Sequence, residues 1–309
     1  MPSLSSINRL FLLSLILLGC GLLVSCSNDP AHVSKPQTVF GERGAGERQF
    51  EKPRAIAVSP VDATLVVIDR QGRVQLFDAD SNFIREWSMP EIEKGTPTGC
   101  SIDAQNLLAI ADTHYHRIMI YTLEGQLLHQ FGEYGGQPGQ MIYPTDVVRD
   151  EEGNFYITEY GDTDRVLKYS KDYEFIKQWG ERGPDSGQFQ RPMSLVIFEE
   201  RLYVADTGNH RIQVYDLAGE LQHDFGGLGE EPGKFNYPYD IAVDQQGRIY
   251  VCEYGGNRIQ RVSATGESQA SWGGFGREPG LMCSPWGVAI NPEGRLIVAD
   301  TLNHRIQLF

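Results

Sequence analysis

Val204-Ala205-Asp206-Thr207-Gly208-Asn209-His210-Arg211-Ile212-Gln213-Val214-Tyr215 returns almost unchanged at the end of the chain as Val298-Ala299-Asp300-Thr301-Leu302-Asn303-His304-Arg305-Ile306-Gln307. The arginine inside this phrase marks six copies, at Arg73, Arg117, Arg165, Arg211, Arg258 and Arg305, with successive gaps of 44, 48, 46, 47 and 47 residues. A period in the forties, made of short β-branched or aromatic runs joined by glycine turns, is the sequence form of a radial array of four-stranded sheets.

Working outward, each copy keeps one order of parts. A strand opens just after a proline, as in Pro238-Tyr239-Asp240-Ile241-Ala242-Val243, and a turn such as Asp244-Gln245-Gln246-Gly247 follows. Next come the strand, hairpin and strand of the quoted phrase, then a fourth strand closed by Phe131-Gly132, Trp179-Gly180, Phe225-Gly226 or Trp272-Gly273. Five connections, from Phe40 to Pro53, Phe131 to Pro144, Trp179 to Pro192, Phe225 to Pro238 and Trp272 to Pro285, each span 13 positions. Loops of that length in a compact domain need internal packing, so Phe50, Met141, Phe189, Phe235 and Met282 are expected to plug the gaps between sheets. The connection from Trp87 to Pro97 lacks the pattern, which makes the second unit the irregular one.

The repeat region opens with a lone fourth strand at Thr38 to Phe40 and stops at Phe309 in a third strand. Joined in one sheet, the two segments would remove the open edges that invite aggregation. The expected fold is therefore all-β, a six-bladed β-propeller over residues 38–309. The phrase from Val204 to Tyr215 and its copy at Val298 resemble the NHL repeat, and the resemblance covers nearly all of residues 38–309. It specifies a fold and not a function, since such propellers host enzymes, scaffolds and nucleic-acid binders.

The first residues read as an export signal: Arg9, an apolar stretch from Leu10 to Val24, then Ser27-Asn28-Asp29-Pro30. Leu23-Val24-Ser25-Cys26 resembles the lipobox of bacterial lipoproteins, which implies a signal peptide over 1–25, lipidation of Cys26 and a polar tether over 26–37. An ordinary cleaved signal with an incidental cysteine reads the same residues. The chain is expected at the bacterial cell envelope, touching the membrane through the lipid anchor alone. Ser27 resembles the outer-membrane sorting pattern, which would put it on the periplasmic side of that membrane. With 41 acidic against 27 basic residues and a net charge of −14, nucleic acid is not an expected partner. Cys100, Cys252 and Cys283 have no metal-knuckle spacing and are expected as small apolar residues, with a Cys252 to Cys283 bridge the lesser alternative.

Recurrence separates architecture from chemistry. The acid-to-arginine pairs, from Asp69 with Arg73 to Asp300 with Arg305, occur in every unit and are expected as bidentate ion pairs tying the hairpins. His116, His210 and His304 share one hairpin position and are expected to serve the turn. The residues after the repeated proline, in contrast, vary within a fixed frame: Arg54, Thr98, Thr145, Met193, Tyr239 and Trp286, followed by Ala55, Gly99, Asp146, Ser194, Asp240 and Gly287. They are expected to ring one mouth of the central channel. Glu159-Tyr160 and Glu253-Tyr254 replace the usual Asp-Thr in the units that supply Asp146 and Asp240. The candidate ligand site is thus Arg54, Asp146, Glu159, Tyr160, Tyr239, Asp240, Glu253, Tyr254 and Trp286. Its carboxylates point to calcium or another divalent cation, or to a cationic, hydroxyl-rich ligand; a solvated acidic surface is the plainer account.

These readings favour a binding or scaffold module for a protein or small ligand. The competing expectation is a metal-assisted lyase or hydrolase at the channel mouth. The repeats resemble the peptidyl-hydroxyglycine lyases, whose zinc-holding histidines follow the strand-opening proline, but no histidine stands at those places here. A lactonase-like site would instead need acid and amide ligands.

Overall fold

The computed structural model describes residues Lys35–Phe309, so the export segment and Cys26 lie outside the described residues. Six four-stranded antiparallel sheets are arranged as blades around an axis. Their inner strands are Pro53–Val58, Gly99–Ile102, Tyr143–Arg149, Pro192–Phe198, Pro238–Val243 and Gly287–Ile290. Each inner strand packs on the next, and that of the sixth blade returns to the first. Thr38–Phe40 pairs antiparallel with Arg305–Leu308, Thr38 opposite Leu308 and Phe40 opposite Ile306, so the two ends of the described chain complete the sixth blade together. No helix among the described residues is long and apolar enough to cross a membrane.

The core lies between blades, where the pleated faces of adjacent sheets meet. Phe50, Met141, Phe189, Phe235 and Met282 are all fully buried there. Each forms a parallel bridge across its own loop, as Phe235 does with Leu228, which gives the 13-position connections internal structure. Cys100, Cys252 and Cys283 are free thiols.

The repeated arginines do not pair bidentately with their acids. In blades two to six Nε alone meets the carboxylate, at 2.6–2.8 Å, and the outer nitrogens of Arg165, Arg211, Arg258 and Arg305 reach carbonyls of the preceding loop. Arg305, for example, donates to the carbonyls of Arg277, Glu278 and Leu281. The fork is divided because the loop's carbonyls would otherwise be buried without donors. Four arginines have a glutamine two residues on, Gln75, Gln213, Gln260 or Gln307, which also donates to a loop carbonyl. The second blade departs as expected: with no such loop, Arg117 forms an ion pair with Glu91 at 2.8 Å, and Met119 replaces the glutamine.

The hairpin histidines serve neighbouring loops. His116, His210 and His304 adopt left-handed backbone, with φ of 59°, 58° and 56°. Nδ1 of His210 accepts from the Tyr237 N–H at 3.1 Å, and that of His304 from the Lys52 N–H at 3.2 Å. In the fifth blade Asn257 does the same for Ser284 at 2.8 Å, and in the third Asp164 does it for Arg191 at 3.0 Å. Lys52, Arg191, Tyr237 and Ser284 each precede a proline yet hold φ of 47° to 55°. That conformation is disfavoured both for a residue with a Cβ and for one before proline. A side-chain acceptor from the preceding blade holds each of them in place at the rim of the channel.

Candidate functional site: an aromatic and cationic channel mouth

Four of the six inner strands begin with a β-bulge. Pro53 pairs with Asp69 and Ala55 with Ile68, leaving Arg54 unpaired, and the same shift frees Thr145, Met193 and Tyr239. An extra residue at the start of a strand re-aims its side chain, and here it occurs at the expected ring of variable positions. Glycine lines the remaining approaches: a Cβ on Gly287 would lie 2.7 Å from the Arg54 carbonyl, and one on Gly99 would lie 2.4 Å from that of Thr145.

The structure brings part of the candidate set together. The Tyr239 ring stacks on Tyr254 with centroids 4.7 Å apart and meets Trp286 edge-on at 4.8 Å. The guanidinium of Arg54 lies over Trp286, 4.7 Å from the ring centre. Tyr160 stacks on Tyr143 at 5.2 Å, and Arg191 lies over Tyr160 at 5.1 Å. Among the described residues the hydroxyls of Tyr143, Tyr160, Tyr239 and Tyr254 make no hydrogen bond. Burial pushes the Tyr239 phenol up, while the charges of Arg191 and Arg54 pull against that rise.

Tyr160 and Tyr254 occupy the hairpin place where Thr207 and Thr301 donate to the carbonyls of Pro238 and Pro53 in the next blade. Thr145, through its own donation to the Pro192 carbonyl at 2.9 Å, makes that stitch in the third blade and frees Tyr160 to face the mouth.

The four carboxylates do not gather there as open ligands. Glu159 and Glu253 are fully buried. Glu159 accepts from Arg165, Thr163 and the Ile142 N–H, and Glu253 from Arg258, Gln260 and the Asn236 N–H. Successive side chains of a strand point to opposite faces, so Tyr160, and Tyr254 just past the end of its strand, reach the mouth while the acids before them turn into the blades. Asp146 and Asp240 do lie at the floor of the mouth, where they tie blades together. Asp146 accepts from the N–H groups of Val147 and, in the next blade, Leu195. Asp240 accepts from the Ser194 hydroxyl at 2.6 Å and from the N–H groups of Ile241 and, in the next blade, Val288.

Burial, with the Asp240 charge beside it, raises Asp146 well above the usual carboxylate range. Burial also raises Asp240, to about 6, against the hydrogen bonds it accepts. The cavity between them and the mouth, lined by Ser194, Met193 and Cys100, is about 20 Å³, room for roughly one water. A divalent cation needs several open oxygen donors converging on it, whereas these oxygens already take N–H and O–H donors. Among the described residues no three His, Cys, Asp or Glu side chains are grouped to hold a metal. The residues present do not fit the expected calcium.

Four mouth residues lie outside the set drawn from the sequence. Tyr143 and Arg191 stand just before the repeated proline, on the side of it that the ring pattern left out. Arg70 follows Asp69 as Tyr160 follows Glu159 and Tyr254 follows Glu253, so its place was readable from the repeat. His114 packs 5.9 Å from Tyr143, and burial followed by the Arg54 charge lowers its pKa.

Comparison with known proteins accords with this architecture. Residues 57–273 match the family described as SMP-30/Gluconolactonase/LRE-like region, and residues 282–309 match the NHL repeat. Among solved structures, a gluconolactonase from Xanthomonas campestris is 16% identical with a TM-score of 0.66, covering 85% of this chain and 88% of that one. A streptogramin B lyase is 14% identical with a TM-score of 0.63, covering 88% and 96%. The virginiamycin B lyase of Staphylococcus aureus is 13% identical with a TM-score of 0.61, covering 88% and 98%. At these identities the likeness is one of fold. Protein brain tumor of Drosophila melanogaster is 37% identical over 82 residues, 26% of this chain and 8% of that protein's length. With its family match running through more than half its length, the chain belongs to the SMP-30/Gluconolactonase/LRE-like region family, as a six-bladed propeller with an NHL repeat in its last blade.

Proposed function

We propose that the chain is a ligand-binding propeller of the bacterial cell envelope, tethered through a lipidated Cys26 and the polar run over 26–37. Its mouth would take a small organic molecule. The observation that carries the reading is the mouth itself: Tyr143, Tyr160, Tyr239, Tyr254 and Trp286 present ring faces, and the four phenols have hydroxyls unpaired among the described residues. Aromatic walls with a few free polar groups are the usual make-up of small-molecule sites. The cavity beneath, about 20 Å³, favours a ligand held in the mouth over one deep in the channel.

Saturation-transfer NMR of the full-length chain with a library of small aromatic compounds tests the binding. Hits should disappear in Trp286→Ala with Tyr254→Ala while the melting temperature holds; hits that survive the substitutions, or none at all, would end the reading. The tether is checked by labelled-palmitate incorporation, which Cys26→Ala should abolish. The family match favours a second reading, lactone hydrolysis at the same mouth. Lactone turnover by the purified protein, with or without added calcium or zinc, would put that reading first.

A further inference from the structure

We infer that the mouth takes an oxyanion carried on a flat ring, an aromatic carboxylate or phosphate, and that Arg54, Arg70 and Arg191 supply its charge complement. This rests on the binding reading above and names the ligand's class.

The protein carries a net charge of −14, yet these three arginines form no salt bridge among the described residues. The six repeat arginines are each paired with an acid a few ångströms away, whereas the three at the mouth have no acid partner among the described residues. Arg54 is half-buried, and its guanidinium pKa is lowered by burial and then by the like charge of Arg70. Among the described residues its guanidinium makes one hydrogen bond, a long one of 3.4 Å to the Thr96 hydroxyl. The Trp286 ring beneath the guanidinium carbon, 4.7 Å from it, holds the group at the mouth without taking its N–H donors, which an oxyanion could then accept from.

The surroundings have the same sense. The four free phenols donate, and the Asp146 and Asp240 oxygens beneath them are occupied by N–H and O–H donors. A cationic ligand would meet three positive charges at close range. A neutral one would leave a half-buried guanidinium without its counter-charge, and an oxyanion satisfies it. The stacked rings provide for the ligand's flat body.

Calorimetric titration of the full-length protein with benzoate, phenyl phosphate, benzamide and benzylamine tests this. Benzoate or phenyl phosphate should bind at least about tenfold tighter than benzamide or benzylamine, the fold-change of one hydrogen bond to a charged group. Arg54→Met should remove that preference. Arg191→Met, at an exposed position, should reduce it and serves as the second variant should Arg54→Met fail to fold. Whichever oxyanion binds tighter identifies the acid. Equal binding of all four probes, tighter benzylamine, or a preference that survives both substitutions overturns the inference. If benzamide binds and Trp286→Ala abolishes it while no anion preference appears, the binding reading stands and this one falls; if no probe binds, both fall.

Discussion

Arg165→Ala is expected to remove about 3–5 kcal/mol of stability, the usual cost of stripping one partner from a buried ion pair. Arg165 and Glu159 are the most enclosed of the repeated pairs, with side chains 3% and 0% exposed. Besides meeting Glu159 at 2.6 Å, the guanidinium donates to Gln178 at 2.8 Å and to the carbonyls of Gln140 and Gly136. Alanine would leave a buried carboxylate with neutral donors alone and two loop carbonyls short of a partner. Against a typical total of about 5–15 kcal/mol, little would remain. Burial already holds the Glu159 pKa above its ordinary value in spite of Arg165. A carboxyl raised in the folded state contributes stability that is lost as pH rises, so without the arginine the deficit should narrow toward pH 5. Urea titration should show the midpoint falling with the slope unchanged. The double variant Glu159→Gln with Arg165→Met should recover much of the loss, since it buries no charge. A loss under about 1 kcal/mol for Arg165→Ala would mean that the pair behaves as an exposed one and that the loop is held by other means.

Why some of this was legible in the sequence and some was not follows from range. The blade number, the plugging Phe and Met side chains and the shared last blade were readable because they depend on spacing along the chain, and Arg73 to Arg305 fix that spacing. The divided role of the arginines was not. The carbonyls they hold, such as that of Leu281 for Arg305, lie 24 residues upstream and approach only when the loop folds back. Nor does sequence announce a bulge: Arg54 and Tyr239 face the axis because a register shift after Pro53 and Pro238 turns them there. The reading of Glu159 and Glu253 as mouth ligands went astray for a simpler reason. Neighbours in a strand face opposite ways, so the presence of Tyr160 and Tyr254 at the mouth was itself a reason to place the acids elsewhere. The consequence for function is a change of sign, from an acidic half-mouth to a cationic one.

Removing Thr38–Phe40 should have the largest effect, because the strand both seals an edge and carries a core residue. Phe40 is 5% exposed, with ring centroids 4.9 Å from Phe77 and 6.2 Å from Phe50, and the Arg48 guanidinium lies over it at 5.1 Å. Phe40→Ala alone is expected to cost about 3–5 kcal/mol. Deleting the segment also strips the pairing from Arg305–Leu308, a strand buried along its whole length. An unpaired, apolar edge recruits other strands, so light scattering should report larger species for the truncated chain than for the intact one. The loss would pass on to the mouth. The loop leaving Phe40 enters the first blade at Pro53, where the Thr301 hydroxyl holds its carbonyl at 2.7 Å, and Arg54 of that blade rests on Trp286 of the sixth. Loosening the seam should separate that pair, so Trp286 emission should shift at temperatures below global unfolding. Val39→Thr, at a position 37% exposed, serves as the control with little expected effect. A truncated chain that keeps the size of the intact one, melts within a few degrees of it and keeps its Trp286 emission would show that the ring does not depend on its shared blade, and the mouth built across that seam would need another explanation.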